Sequence, residues 1–259
     1  MSVLEAKDLS ISFGGLQAVK KFNLTLHDHE FVAIIGPNGA GKTTIFNMLT
    51  GMYVPTEGSL TFDGVSLINV PPYKINALGL SRTFQNIRLF SGLSVLENVK
   101  AAMKRDAKYT FFGALLRTKR YKQCEAEIEA EALRLLDLFE MKDVASLQAK
   151  NLPYGEQRRL EIVRALAGKP KVLLLDEPAA GMNPNEIKNV MAIIKKVREM
   201  FDISILMIEH HMSMVMAIAE RIIVLDFGET IAEGTPCEIQ KNPRVIEAYL
   251  GEGEDLDDE

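Results

Sequence analysis

The residues best able to do chemistry form one run, Gly36-Pro37-Asn38-Gly39-Ala40-Gly41-Lys42-Thr43-Thr44. Gly36 and Gly41 bracket four residues and are followed by a lysine and a hydroxyl residue, the spacing of a phosphate-binding loop. A backbone that must wrap phosphate oxygens needs positions without side chains, and Gly36, Gly39 and Gly41 supply them. Backbone N–H groups at the start of a following helix then point at the anion, aided by the helix dipole. Lys42 is expected to reach the β- and γ-phosphates, and the Thr43 hydroxyl to ligate Mg²⁺. Pro37, Asn38, Ala40 and Thr44 complete a cradle for a nucleoside triphosphate.

A second cluster closes an apolar run, Leu173-Leu174-Leu175-Asp176-Glu177-Pro178. It sets two carboxylates at the carboxyl end of a buried strand, where ligands gather in open α/β sheets. Asp176 suits Mg²⁺, directly or through water. Glu177, one residue on, points elsewhere and is placed to polarise an attacking water as a general base. Phe13, just before the Gly14-Gly15 turn, reads either as an adenine-stacking aromatic or as a strand-end core residue.

The elements that must hold these groups are legible around them. Phe31-Val32-Ala33-Ile34-Ile35 reads as a buried strand feeding the loop, and Thr43 to Leu49 as a helix stopped by Gly51. Between Leu4 and Leu26, alternation at Ile11 and Phe13 and at Phe22, Leu24 and Leu26 predicts antiparallel strands, which Gly58 to Gly64 extends. From about Ser91 to Lys150 helical periodicity takes over, with Ile128, Ala132, Leu135, Leu136 and Phe139 on one stripe. Strand–helix alternation then resumes. Lys171–Leu175 and Ile203–Ile208 read as buried strands. Asn183-Pro184 opens a helix, His211 to Glu220 forms another, and 222–225 with 230–232 makes a hairpin. The expected fold is α/β: a phosphate-loop core with an antiparallel β layer (1–90 and 160–250), an inserted helical subdomain (91–159) and an acidic solvated tail (251–259). Within the insertion, Lys104 to Arg120 mixes aromatics with basic residues. It reads as a solvated helical hairpin or as a segment facing anionic headgroups or a membrane subunit.

A 259-residue chain that is 47% hydrophobic and 25% charged is an ordinary folded composition. Its net charge of −5 argues against a general nucleic-acid binder, which needs a clear basic face. Cys124 and Cys237 lie far apart without metal-ligand spacing, as two free thiols in a reducing compartment would. The amino terminus lacks the apolar core of a secretory signal, and no stretch reaches the roughly 18 apolar residues that cross a bilayer. Any membrane role is expected to come through a partner.

With both nucleotide motifs placed, nearly the whole chain resembles the ATP-binding subunits of ABC transporters. Arg82-Thr83-Phe84-Gln85-Asn86 is similar to that family's glutamine loop, which implies that Gln85 contacts Mg²⁺ or the attacking water. Leu152-Pro153-Tyr154-Gly155-Glu156-Gln157, ahead of a helix from Arg158 to Ala167, resembles the signature loop. Through Gly155 and Glu156 that loop would bind the γ-phosphate of ATP held by an opposite subunit. Ile208-Glu209-His210 resembles the strand end carrying the switch histidine, which selects His210 over its neighbour His211. Pro153 and Tyr154 replace the usual Ser and Gly, leaving the Gly155 backbone and the helix start, and Asn183 replaces an Asp.

Arg82 to Phe90, Leu152 to Arg159 and Ile246 to Gly251 narrow the resemblance to branched-chain amino-acid importer ATPases, with urea importers and lipopolysaccharide export ATPases close by. This implies ATP and Mg²⁺ as ligands and hydrolysis as the activity. Integral membrane permeases, a homo- or heterodimeric second ATPase and an indirect link to a substrate-binding protein are the implied partners. The implied place is the cytoplasmic face of the membrane, held peripherally.

Overall fold

The computed structural model describes residues 2–103 and 114–250. The first ten residues of the basic-aromatic stretch and the acidic tail lie outside the described residues. The chain divides into two compact units, one built from residues up to Gln85 and from Lys171 onward, the other from Asn86–Pro170.

In the first unit, β1 (Ser2–Phe13) and β2 (Leu16–His27) form a long antiparallel pair, in register at Leu4 with Leu26 and Phe13 with Leu16. β3 (Phe31–Ile35) leads to α1 (Lys42–Leu49). β4 (Glu57–Phe62) and β5 (Val65–Ser66) complete a sheet of order β2-β1-β4-β5. After α2 (Pro72–Leu78) comes the three-residue strand β6 (Leu80–Arg82).

The second unit holds α3 (Val95–Met103), α4 (Lys119–Leu138) and α5 (Tyr154–Ala167). The α4 stripe buries Ala132, Leu135 and Leu136, followed by Phe139. The signature stretch expected as loop through Gln157 turns helical at Tyr154. Pro153 sits at the N-cap in extended backbone, and its carbonyl accepts from Gln157 N at 2.9 Å, so the first turn closes directly behind it.

Back in the first unit, β7 (Val172–Asp176), α6 (Pro184–Met200), β8 (Ser204–Ile208) and α7 (Met212–Ile218) follow. The hairpin β9 (Arg221–Asp226) and β10 (Glu229–Gly234), then α8 (Pro236–Gln240) and α9 (Pro243–Leu250), end the described chain. Asn183 caps α6 reciprocally with Glu186, so the amide standing for the usual Asp still caps.

The six-stranded sheet runs β10-β9-β3-β8-β7-β6. β3, β7 and β8 are buried at every residue, as strands covered on both faces must be, each large side chain contributing about 1.5–3 kcal/mol. Because β3, β7 and β8 run parallel, their carboxyl ends lie side by side. Gly36, Asp176 and Ile208 therefore open onto one edge.

Candidate nucleotide site

The phosphate loop depends on two glycines in left-handed backbone. At Gly36 (φ +148) an added Cβ would stand 2.1 Å from the Leu225 carbonyl oxygen of β9. At Gly41 (φ +100) it would stand 2.8 Å from that of Ala18 on β2. Only glycine lets the loop lie this close to both neighbours. Lys42 turns back over the loop, its Nζ donating to the carbonyls of Gly36 at 2.5 Å and Pro37 at 2.7 Å. That fixes an ammonium, 5% exposed, beside the start of α1, whose first-turn N–H groups have no intrahelical acceptor. A cleft of about 270 Å³ opens here, lined by Leu16, Gln17, Ala18, residues 38–44, Glu177, His210 and Phe227.

Glu177 forms the acidic wall of this cleft. Its backbone is left-handed (φ +46), which for a non-glycine residue costs on the order of 1–3 kcal/mol. Its N–H donates to the Ile208 carbonyl at 2.9 Å, tying the ends of β7 and β8. Gln85 Nε2 donates to Oε2 at 2.6 Å, and His210 Nε2 lies 2.9 Å from Oε1. An ionised carboxylate only accepts, so Nε2 carries the proton. The His210 contact, with help from Gln85 and Lys42, outweighs burial and holds the Glu177 carboxyl below the usual range.

His211 does not line the cleft; its Nδ1 lies 3.2 Å from Glu209 Oε2, and that contact raises its pKa. Glu209 is a buried carboxylate that the motifs do not flag. Its Oε1 accepts from Ala179 N at 2.9 Å and its Oε2 from His210 N at 2.7 Å, so it joins the loops after β7 and β8.

Asp176 ends β7, and Arg82 Nη2 donates to its Oδ2 at 2.6 Å. Thr83 Oγ1 accepts from Asp176 N at 3.3 Å. Nothing in the motifs assigns Arg82 a partner. The available signal was a charged residue ending a short run of otherwise apolar or small side chains.

The remaining expected residues are distributed as follows. Phe13, 46% exposed at the end of β1, meets Tyr53 edge-on with centroids 5.3 Å apart and does not line the cleft. Gly155 and Glu156 lie in the first turn of α5, in the other unit. No cluster of three His, Cys, Asp or Glu side chains able to hold a metal occurs among the described residues. The donors present are a threonine hydroxyl, an amide and a carboxylate beside a phosphate cradle. That set fits Mg²⁺, which is held by one or two carboxylates plus phosphates and water. Among the described residues no helix is long and apolar enough to cross a membrane.

Comparison with known proteins matches residues 19–180 to the ABC transporter family and residues 229–255 to the branched-chain amino acid ATP-binding cassette transporter family. The chain is 44% identical over 250 residues to the high-affinity branched-chain amino acid transport ATP-binding protein BraF of Pseudomonas aeruginosa, covering 96% of this chain and 98% of BraF. It superposes on a nucleotide-free ATP-binding cassette from an ABC transporter with TM-score 0.81 at 27% identity, over 96% of this chain and 99% of that one. A dimeric ATP-binding cassette in a post-hydrolysis state with ADP and Pi matches with TM-score 0.74 at 26% identity, over 90% and 98%.

Proposed function

The chain belongs to the ABC transporter family of ATP-binding subunits, and from that premise we propose that it hydrolyses ATP to drive import of branched-chain amino acids through separate integral membrane permeases. It works as a peripheral subunit on the cytoplasmic face of the membrane, paired with an identical or related second cassette and served indirectly by a substrate-binding protein. The observation that carries the hydrolytic part is Glu177, kept ionised between Gln85 and His210 at the wall of a cleft made positive by Lys42.

In this reading Lys42 and the first turn of α1 hold the terminal phosphates. Thr43, Asp176 and Gln85 would hold Mg²⁺, whose charge offsets that of the transferring phosphoryl group. Glu177 takes the proton of the attacking water. Both of its oxygens are already engaged, so one contact must open before it can do so. His210 and Gln85 are the groups that a γ-phosphate and its water would draw away, which makes the base available only once nucleotide is seated. The start of α5 carries no side-chain cap at Pro153. It therefore offers backbone N–H groups, including that of Gly155, to the γ-phosphate across a dimer, with Glu156 beside them.

Reconstitution into proteoliposomes with its co-purifying permeases and binding protein tests the proposal. ATP-dependent uptake of labelled leucine, isoleucine or valine is the expected result. Uptake of urea alone, extraction of lipopolysaccharide, or ATP turnover with no membrane partner would assign the subunit to another system.

A further inference from the structure

Arg82 is more tightly held than a strand-end arginine needs to be. Its side chain is 6% exposed. Nη2 bonds Asp176, while Nη1 donates to Asn47 Oδ1 at 2.8 Å and Thr50 Oγ1 at 3.1 Å, both at the far end of α1. Its guanidinium lies over the rings of Phe46 at 5.4 Å and Phe84 at 5.0 Å. Contacts from α1, from β7 and from the residue before Gln85 thus fix one rotamer, and the planar fork suits arginine where lysine's point charge would not. A carboxylate buried this deeply needs a cation, and Arg82 provides one before any metal arrives.

We propose that Arg82 is the resident counter-cation of Asp176: a positioning residue that neutralises and orients the carboxylate while nucleotide is absent, so that a divalent cation is retained only together with nucleotide phosphates. The proposal rests on reading Asp176 as the metal-side carboxylate. Because the Coulombic demand of Asp176 is already met, free Mg²⁺ gains little there. Phosphate oxygens arriving on the Lys42 side supply the charge that makes metal binding favourable, which couples metal to nucleotide. Removing Arg82 leaves the carboxylate uncompensated, and a divalent ion becomes its replacement.

The test uses nucleotide-free full-length protein. Thermal unfolding of wild type should be nearly indifferent to millimolar MgCl₂ compared with KCl of equal ionic strength. Arg82→Gln should unfold at lower temperature and recover about 2–4 °C with MgCl₂, since a ligand of the folded state raises its stability. Titration with MnCl₂ should show affinity at least about tenfold tighter than wild type, one factor of ten being about 1.4 kcal/mol. In Arg82→Gln/Asp176→Asn both responses should vanish. A destabilised Arg82→Gln with no response to either metal overturns the proposal and leaves Arg82 a packing residue. If Arg82→Gln does not fold, Arg82→Met, which drops the charge but still fills the space between the two rings, must bind Mn²⁺ more tightly than wild type, and equal affinity overturns the proposal. Asp176→Asn with unchanged Mg²⁺ dependence of nucleotide binding overturns the underlying reading of Asp176 instead.

Discussion

Each unit buries an arginine against a carboxylate, and the two pairs are built on opposite plans. Arg82 and Asp176 stand 94 residues apart and meet because β6 and β7 run parallel at the sheet edge. Arg158 and Glu161 stand one helical turn apart on α5, their side chains bonded at 2.8 Å and essentially unexposed. The helical pair uses its spare capacity locally. Arg158 Nη2 donates to the Tyr154 hydroxyl at 3.3 Å, and Glu161 Oε1 accepts from Arg88 N at 3.2 Å. Arg164 Nη1 adds a bond to the Arg88 carbonyl at 2.5 Å. That cluster pins the start of its own unit. The core pair stands instead beside Glu177, with its carboxylate at the strand end where metal and phosphate chemistry is read. Burial and pairing look alike in both places, so what separates a structural carboxylate from a functional one is what lies next to it.

Four measurements press on that distinction. Glu177→Gln should lower steady-state ATP turnover by about 10²- to 10⁴-fold, the usual value of a positioned base, while leaving the urea unfolding midpoint nearly unchanged. Glu161→Gln should do the reverse. Breaking a fully buried pair costs about 3–5 kcal/mol in urea unfolding, with turnover per folded molecule retained. A Glu161→Gln protein that is stable but inactive would erase the contrast.

A pH profile addresses the neighbour of Glu177. Its carboxyl pKa is depressed chiefly by His210, so its ionised form persists to lower pH than an ordinary glutamate, and activity is lost as pH falls through that depressed value. His210→Ala should move the acidic limb of residual turnover to higher pH, and His211→Ala should leave the limb almost in place. The smallest effect is expected at Tyr154→Phe, which removes one hydrogen bond to buried Arg158, about 0.5–1.5 kcal/mol by chemical denaturation.

The residues that announce themselves are those whose job is set by local chain geometry. The phosphate loop needs its glycines at fixed offsets along one short stretch, the α6 cap needs Asn183 next to Pro184, and β3, β7 and β8 need unbroken apolar runs. Such signals are written contiguously. The strand β6 was not legible, because three residues show no period and its neighbours alone make it a strand. The family resemblance places the signature stretch as loop through Gln157, with the helix beginning at Arg158. The helix starts instead at Tyr154, with Pro153 at the N-cap, where no intrahelical carbonyl would accept the N–H that proline lacks.

By itself, then, the sequence determined the nucleotide-binding class, the layered α/β fold and the identity of the acidic pair, since each follows from spacing along one stretch of backbone. Tertiary structure alone decided the company those residues keep. It set Glu177 between Gln85 and His210, joined two loops through Glu209, and enclosed Arg82 between two rings against Asp176. Each of these requires parallel strands to end side by side, and groups separated by 30 to 94 residues in the chain carry no local mark of which of them will meet.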